Sequence, residues 1–531
     1  MCGIVCYKGK SKKLENLQNS IDRIGYRGPD NTKYEQVSDD IIFGFHRLAI
    51  MGLTESGDQP MKHPKDDTLS LICNGEIYNY KILGEKYNFE LVTGSDCEII
   101  LLLYKKIGLE KTVKELDGVF MFVLYDSTKN RIYAARDPYG VRPGFIAHDE
   151  YKNEFMIASE AKPLVGNMKN IKPFHPGSWW SSEKVGIFNK YHFTENNIGM
   201  ASNEIDICHN INTLLTEAVK KRLMSNREIG CLLSGGLDSS LICAIVAKHY
   251  SGPKLNTFSI GMPGSIDLEY AGKVAEYLGT KHHQIEISKK EFLNAIEIVI
   301  YNIESYDTTT VRASVGNFLL GKYITNNTDC KVIFNGDGSD EVSCGYVYLK
   351  NAPDPLSLHQ ENERLLEEIH YFDVLRSDRS MSCNGLEART PFLDKSFVDY
   401  YLSIPAKLKM FDGANRLEKH LLRKAFEDDQ ILPEEVLWRR KCAFSDGVSS
   451  QKKSWHKIIQ SFVDEIVTDK EFNENKDNYI HCRPQLKESY FYRKIFEKYF
   501  EGNENLIPHF WLPRWTEVID PSARELVDYH E

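Results

Sequence analysis

Two kinds of hydrophobic patterning divide the chain. Up to about residue 185, apolar residues come in short runs broken by turn residues. GVFMFVLYD, the turn STKN and RIYAARD read as a β-hairpin, from their β-branched and aromatic content and the Ser/Asn punctuation between them. EFMIASE reads as a further strand, and SDCEIILLLYKKIG as a helix with an acidic first turn. From about residue 207 the pattern alternates between strand and helix. INTLLTEAVKKRLM sets Ile211, Leu214, Leu215, Ala218, Val219 and Leu223 at helical spacing. EIGCLLS is then a strand, GLDSSLICAIVAKHY a helix, LNTFSIG a strand and DLEYAGKVAEYLGT a helix ending at Gly. HHQIEIS, a long helix and CKVIFNG continue the series. Such alternation predicts a parallel sheet covered on both faces. Beyond about residue 360 the pattern is mainly helical, and the polar, weakly periodic FTENNIGMASNEID is the expected linker between two domains.

At 531 residues the chain is too long for one core. Its 66 basic and 76 acidic residues leave a net charge of −10. That argues against nucleic acid or an anionic membrane as main partner, since both select basic faces. No apolar run approaches the ~18 residues of a membrane span, and the apolar start before KGKSKK is too brief for a signal peptide. The 12 cysteines stand singly, many in apolar runs such as LICNG and SSLICAIV, with no CxxC pair and no zinc-type spacing. They suit a reducing compartment, so the expected location is cytoplasmic.

The stretch CLLSGGLDSSLICAIVA carries the first candidate chemistry. Ser234, Gly235 and Gly236 can turn backbone N–H groups inward, and Ser239 and Ser240 add hydroxyls at a helix N-terminus, a setting that binds anions. It is not GxxxxGK[ST], which disfavours a Walker-type NTPase. Asp238 brings a carboxylate into the cradle, which fits a phosphate only with Mg²⁺ between them. The bland alternative is a Gly-capped strand–helix junction; the place of SGGLDSS at the carboxyl end of a strand in an α/β pattern speaks against it. A second Gly-rich turn, in KVIFNGDGSDEVSCGY, holds Asp337, Asp340 and Glu341, a cluster that needs a cation or a shared proton. The heptapeptide resembles the pyrophosphate loop of the PP-loop ATP pyrophosphatases, which cleave ATP to AMP and pyrophosphate. With SYDTTTVRAS, RSDRSMSCNGLEARTPFLD, RLEKHLLRKAF, WRRKCAFSDGV and HFWLPRWTEVIDPSAR, these stretches resemble, in order, the synthetase domain of the glutamine-dependent asparagine synthetase family.

At the other end, MCGIVC sets a cysteine directly behind Met1. With Met1 removed, Cys2 carries its own base, because an α-amine has a pKa of about 7.7–8.0 against roughly 8.5 for a thiol. Cys6 cannot carry that amine and is read as core. LICNGEIYNY offers Asn74 and the Gly75 N–H as an oxyanion hole. FHRLAIMG offers Arg47 as a bidentate partner for a substrate α-carboxylate, and Glu76 with Asp96 of TGSDCE gives two carboxylates for an α-ammonium. MCGIV, YRGPD, HRLAI, NGEIYNY, TGSD, LDGVFMFVLYD, ARDPYGVRP and ASE together resemble the class II glutamine amidotransferase domain.

The two resemblances imply a two-domain protein of α/β and α+β class. Residues 2–190 would form an N-terminal-nucleophile αββα sandwich of antiparallel sheets, and 207–531 a parallel-sheet PP-loop domain with a helical C-terminal extension. The implied reaction converts aspartate, ATP, glutamine and water to asparagine, AMP, pyrophosphate and glutamate through β-aspartyl-AMP. Cys2 would be the nucleophile, with Arg47, Leu48, Ala49, Ile50, Met51, Asn74, Gly75, Glu76 and Asp96 binding L-glutamine. ATP would lie against Leu233, Ser234, Gly235, Gly236, Asp238, Ser239, Ser240, Ile260, Asn335 and Gly336, with Lys441 at the phosphates. Thr309, Thr310 and Arg312 would bind L-aspartate, and Asp238 and Asp340 would hold Mg²⁺. Ammonia from Cys2 is expected to reach the adenylate through a dry channel. A homodimer is compatible with the resemblance, while nucleic-acid and membrane partners are not expected.

Asn335-Gly336-Asp337 stands where the family usually has Ser-Gly-Glu. The expected proton-handling carboxylate is therefore one methylene, about 1.5 Å, shorter. Ser343-Cys344 replaces a bulky residue and Gly. The expectation is that Asp337 keeps the catalytic role through a shifted loop. Competing readings are a paralogue that adenylates another carboxylate, as cyclases and cell-wall amidotransferases do, and a regulatory member with impaired synthesis. A phosphoribosylpyrophosphate amidotransferase is rejected by SGGLDSS.

Overall fold

The protein is described from a computed structural model, which covers residues 1–193, 203–441, 447–449, 454–522 and 525. Most of the expected linker (194–202) and part of WRRKCAFSDGV (442–446) lie outside the described residues. The chain forms two compact units. Met1–Phe193 with Met224–Arg227 and Met381–Glu387 make the first; Thr194–Leu223, Glu228–Ser380 and Ala388–Glu531 make the second.

The first unit contains β1 (Gly3–Lys8), β2 (Asn31–Ser38), β3 (Ile41–Arg47), β4 (Met61–His63), β5 (Asp66–Ile77), β6 (Gly118–Asp126), β7 (Arg131–Arg136), β8 (Phe145–Asp149), β9 (Glu154–Ala158), β10 (Lys172–Pro173), β11 (Ser178–Ser181) and β12 (Phe188–Lys190). They form two six-stranded sheets, in the orders β10-β8-β9-β1-β3-β2 and β12-β11-β7-β6-β5-β4. The expected hairpin is β6–β7, closing at Asp126 opposite Arg131. Side-chain alternation builds the layers. Ile4 and Cys6 of β1, Phe43 and Phe45 of β3, and Ile72, Met121 and Val123 of the second sheet share one core between the sheets. On β5 the odd positions Leu69, Leu71 and Cys73 face the other way and pack with Leu83, Ile99, Leu103 and Val113 of the helices Tyr80–Tyr87, Glu98–Ile107 and Leu109–Glu115. The helix Leu14–Ile21 lies on the outer face of the first sheet, where Gly44 leaves room for Ile21; a Cβ there would come within 2.6 Å of it. The result is helix, sheet, sheet, helix.

The second unit is built on β13 (Glu228–Leu232), β14 (Asn256–Gly261), β15 (Lys281–Glu286) and β16 (Cys330–Phe334), with the short β17 (Glu387–Arg389) at the edge. Their order is β15-β14-β13-β16-β17, and the pairs among the first four are parallel. Crossover helices include Leu237–His249, Ile266–Leu278 and Thr308–Asn327. The single long helix expected before CKVIFNG is instead three. Two short ones, Lys289–Asn294 and Ile296–Ile303, stop at Glu304 in the left-handed region before the long helix starts. Because β13 and β16 are parallel neighbours, their following loops open at the same sheet edge, where ligands of α/β sheets bind. Among the described residues, no helix is long and apolar enough to cross a membrane.

Candidate active sites

In the first unit, strand parity assembles the site. Cys2 falls on the same face of its strand as Ile4 and Cys6, and Asn74 and Glu76 on the same face of β5 as Ile72, so they meet between the sheets. The Cys2 backbone N–H donates to Asn74 Oδ1 at 2.9 Å, and Arg27 Nε donates to the Cys2 carbonyl at 3.0 Å. Arg27 is itself fixed by Glu160 at 2.6 Å, both fully buried. Asn74 Nδ2 is buried without a partner, leaving an amide donor beside the thiol. Gly75 is required by close approach: a Cβ would stand 2.3 Å from the Val119 carbonyl oxygen. Burial pushes the Cys2 thiol up to about 11 despite the nearby terminal amine, so it needs a base. Met1 is 1% exposed, and its amine lies 3.7 Å from Glu387.

The other expected glutamine ligands divide. Leu48, Ala49 and Ile50 are buried, Met51 is half-buried, and the Leu48 carbonyl lies 3.8 Å from the thiol. Glu76 and Asp96 are buried, with Asp96 Oδ2 accepting the Ile77 N–H at 2.6 Å. Arg47 departs from its expected role as a ready carboxylate partner. Its guanidinium donates to Asp58 at 2.5 Å, to the Thr54 carbonyl at 2.8 Å and to the Gly52 carbonyl. Here it ties the 51–58 loop to β3, because an arginine fork beside bare carbonyls satisfies them first.

In the second unit, a cavity of about 230 Å³ lies over the loops after β13 and β16. Leu233, Ser234, Gly236, Asp238, Ser239, Ile260, Thr309, Asn335, Gly336, Asp337, Asp340 and Lys441 line it. The Ser234 N–H donates to Ser239 Oγ at 3.1 Å, and Gly235 turns at φ +73, where a Cβ would come within 2.5 Å of Tyr270 and Ala271. Gly235 and Ser240 do not face the cavity. Gly235 shapes the turn, and the Ser240 hydroxyl is buried without a partner.

The expected aspartate ligands separate too. Thr309 faces the cavity with a buried hydroxyl that has no partner. Thr310 does not, since its hydroxyl and N–H both donate to Asp307, the N-cap of the long helix, at 2.8 and 2.9 Å. Arg312 is turned away, donating to Glu488 at 2.6 and 2.8 Å and to Asp520 at 2.7 and 2.9 Å. That buried ion-pair cluster takes four of the five guanidinium N–H donors, and Arg312 is not among the residues that line the cavity.

Charge organises the loop region. Lys419 Nζ donates to Asp238 at 2.6 and 2.7 Å and to Ser339 Oγ at 3.1 Å, and pairs with Asp340 at 2.6 Å. Lys441 also donates to Asp340. Burial alone would raise the Asp340 carboxyl, but the two ammonium groups outweigh it and hold it below the carboxylate range. Burial, with Asp373 and Asp340 nearby, holds Glu341 well above its ordinary value while Tyr346 donates to it at 2.6 Å. The acid cluster thus has cations beside Asp340, while burial and like charge shift Glu341 toward its neutral form. Arg376 donates to Asp337 Oδ1 at 2.9 Å and lies 3.1 Å from Asp373.

Comparisons with known proteins fit this geometry. Residues 1–175 match the glutamine amidotransferase domain model, and 210–360 with 350–523 match the asparagine synthase model. Curated relatives named asparagine synthetase [glutamine-hydrolyzing] align along 100% of this chain and 99% of their own. Identity is 44% for that of Gallus gallus, 43% for Rattus norvegicus and 43% for Homo sapiens. The chain belongs to the asparagine synthase family. For a member of that family, sequence reasoning overlooked Lys419, Arg376, Asp373, Tyr346 and Trp511, all placed in or beside the cavity. RLEKHLLRKAF and RSDRS marked the stretches of the first two, but helical spacing did not show which charges turn inward.

Asp238 and Asp340 are hard oxygen donors of the type Mg²⁺ takes, and Mg²⁺ commonly completes its shell with phosphate oxygens and water. The described residues hold no cluster of three or more His, Cys, Asp or Glu that would cage a metal unaided. The donor set therefore suits Mg²⁺ arriving with a nucleotide.

Proposed function

We propose that the chain makes L-asparagine from L-aspartate and ATP, with glutamine as nitrogen source. The observation that carries this is the single cavity in which the SGGLDSS loop, Lys441 and the Asp337–Arg376 pair meet. An aspartate β-carboxylate oxygen attacks the α-phosphorus of ATP, and pyrophosphate leaves. The Ser234 and Ser239 hydroxyls of the loop, with Lys419 and Lys441, stabilise the charge that develops on the departing phosphates. Mg²⁺ bound through Asp238 and Asp340 would neutralise phosphate charge further. The Thr309 hydroxyl would bind aspartate, a reading supported by its position in the cavity wall without a partner. Ammonia then attacks the β-carbonyl, AMP leaves, and Asp337 accepts the proton shed by the nitrogen. Burial raises the Asp337 carboxyl against the pull of Arg376, which makes it a stronger base than a solvated aspartate.

In the first unit, Cys2 freed of Met1 passes its thiol proton to its own α-amine. The thiolate attacks the glutamine side-chain carbonyl, Asn74 Nδ2 and the Gly75 N–H bind the oxyanion, and ammonia leaves. Water then releases glutamate from the thioester. Product analysis with ATP, aspartate and amide-¹⁵N glutamine tests the whole scheme. Labelled asparagine with AMP is expected, whereas ADP would overturn the pyrophosphatase assignment.

A further inference from the structure

The departure Asn335-Gly336-Asp337 has a geometric answer. Asn335 follows β16, and its Nδ2 donates to Asp337 Oδ2 at 2.7 Å and to Ser377 Oγ at 2.6 Å. The Asp337 N–H donates back to Asn335 Oδ1 at 3.3 Å, and Arg376 holds the other carboxylate oxygen at 2.9 Å. Both oxygens of Asp337 are thus held, one by each partner. Asn335 is 3% exposed, so its amide cannot turn to solvent instead. Gly336 between them approaches Asp238 so closely that a Cβ would lie 2.8 Å from the Asp238 Cβ, which leaves the turn no slack to move Asp337 by backbone adjustment.

Compared with Ser-Gly-Glu, the side chain of this protein reaches one bond further at 335 and one bond less at 337. A serine hydroxyl, one atom beyond Cβ, falls short of the point from which Asn335 Nδ2 donates, while a glutamate would carry its oxygens past it. We propose that Asn335 is a positioning residue that fixes the shortened Asp337 carboxylate, so that 335 and 337 work as an exchanged pair and neither family residue serves alone. This rests on the reading of Asp337 as the proton acceptor.

The test is a kinetic cycle in the full chain, with ammonia supplied directly and asparagine measured: Asn335→Ser, Asp337→Glu and the double variant. Each single change should lower kcat by about tenfold or more, as expected when a hydrogen bond to a charged group is lost. The double variant should recover to within a few-fold of the parent. A purely structural role at 335 predicts no rescue by Asp337→Glu. Should Asn335→Ser lower the melting temperature even with ATP bound, the isosteric Asn335→Asp takes its place: it keeps the volume, removes the donor, and should be slower than the parent. The inference is overturned if the position-335 variant keeps parental kcat, or if the double variant is no faster than the slower single. Asp337→Ala separates the two failures. Parental activity there overturns the proton-acceptor reading itself, whereas a dead Asp337→Ala beside a healthy Asn335→Ser overturns only the positioning.

Discussion

Replacing Lys419 by Met removes the ammonium that joins two loops. Its side chain is 2% exposed and reaches Asp238, Asp340 and Ser339 at once. At an effective dielectric near 20, a carboxylate oxygen at 2.6 Å contributes roughly 6 kcal/mol of attraction, and desolvation of the ammonium offsets several kcal/mol of the total. Removing one member of a buried pair generally costs about 3–5 kcal/mol, because the partner charge stays behind. An exposed pair would lose under about 1 kcal/mol. For a unit of this size the melting temperature should fall by about 5 °C. Acidity gives the second reading. In the parent, Asp340 is held below its unfolded value, so its contribution is complete above about pH 4 and is lost only as pH falls through the folded value. In Lys419→Met, two carboxylates share Lys441, and one is raised above its unfolded value. The folded variant then binds more protons than the unfolded chain, so it gains stability as pH falls from about 8 to about 5. Thermal unfolding across that range is the assay. A deficit below about 1 kcal/mol at the alkaline end, or one that does not narrow on acidification, would refute the idea that Lys419 clamps both carboxylates.

Three further outcomes follow from the geometry. Asn74→Ala should lower glutamine hydrolysis by about 10²–10³-fold, measured as glutamate release, with ammonia-dependent synthesis retained; equal loss of both would contradict the division between units. His282 bridges Thr257 and Ser259 at 3.0 Å, and burial, aided by His283, lowers it to about 4. Its neutral form is the folded one, so stability should fall as pH drops from about 6.5 toward 4. After discounting for its partial exposure that amounts to about 1 kcal/mol at pH 5, and it should be missing in His282→Asn. Arg312→Met should act on stability, by about 3–5 kcal/mol through the stranded Glu488 and Asp520, whereas Thr309→Val should raise the KM for aspartate several-fold at nearly parental stability. The reverse pattern would restore Arg312 as the substrate ligand.

Local signals were legible. Period-two alternation is enough to put Cys2 and Asn74 on facing layers once the two strands are known, and SGGLDSS announces its turn and helix through residue types alone. Long-range pairing was hidden. Nothing near Arg312 shows that its carboxylate partners lie 176 and 208 residues away. Thr310 is withdrawn by an adjacent N-cap, a signal present in the Asp307-Thr308-Thr309-Thr310 run but outweighed by resemblance. Lys419 has a left-handed backbone, φ +57, at the start of the helix His420–Ala425, and that turn directs it inward. By sequence it is one lysine among the charges of a helical segment.

The burial of Met1 sets a schedule. A peptidase cannot grip a residue that is 1% exposed with its amine closed against Glu387, so for Cys2 to act as proposed the methionine must leave while the chain is still being made or before the first sheet closes around it. A molecule that folds too early keeps its thiol without the adjacent amine. Such a population would run on free ammonia alone, and the ratio of the two nitrogen sources would then record how quickly each chain was trimmed.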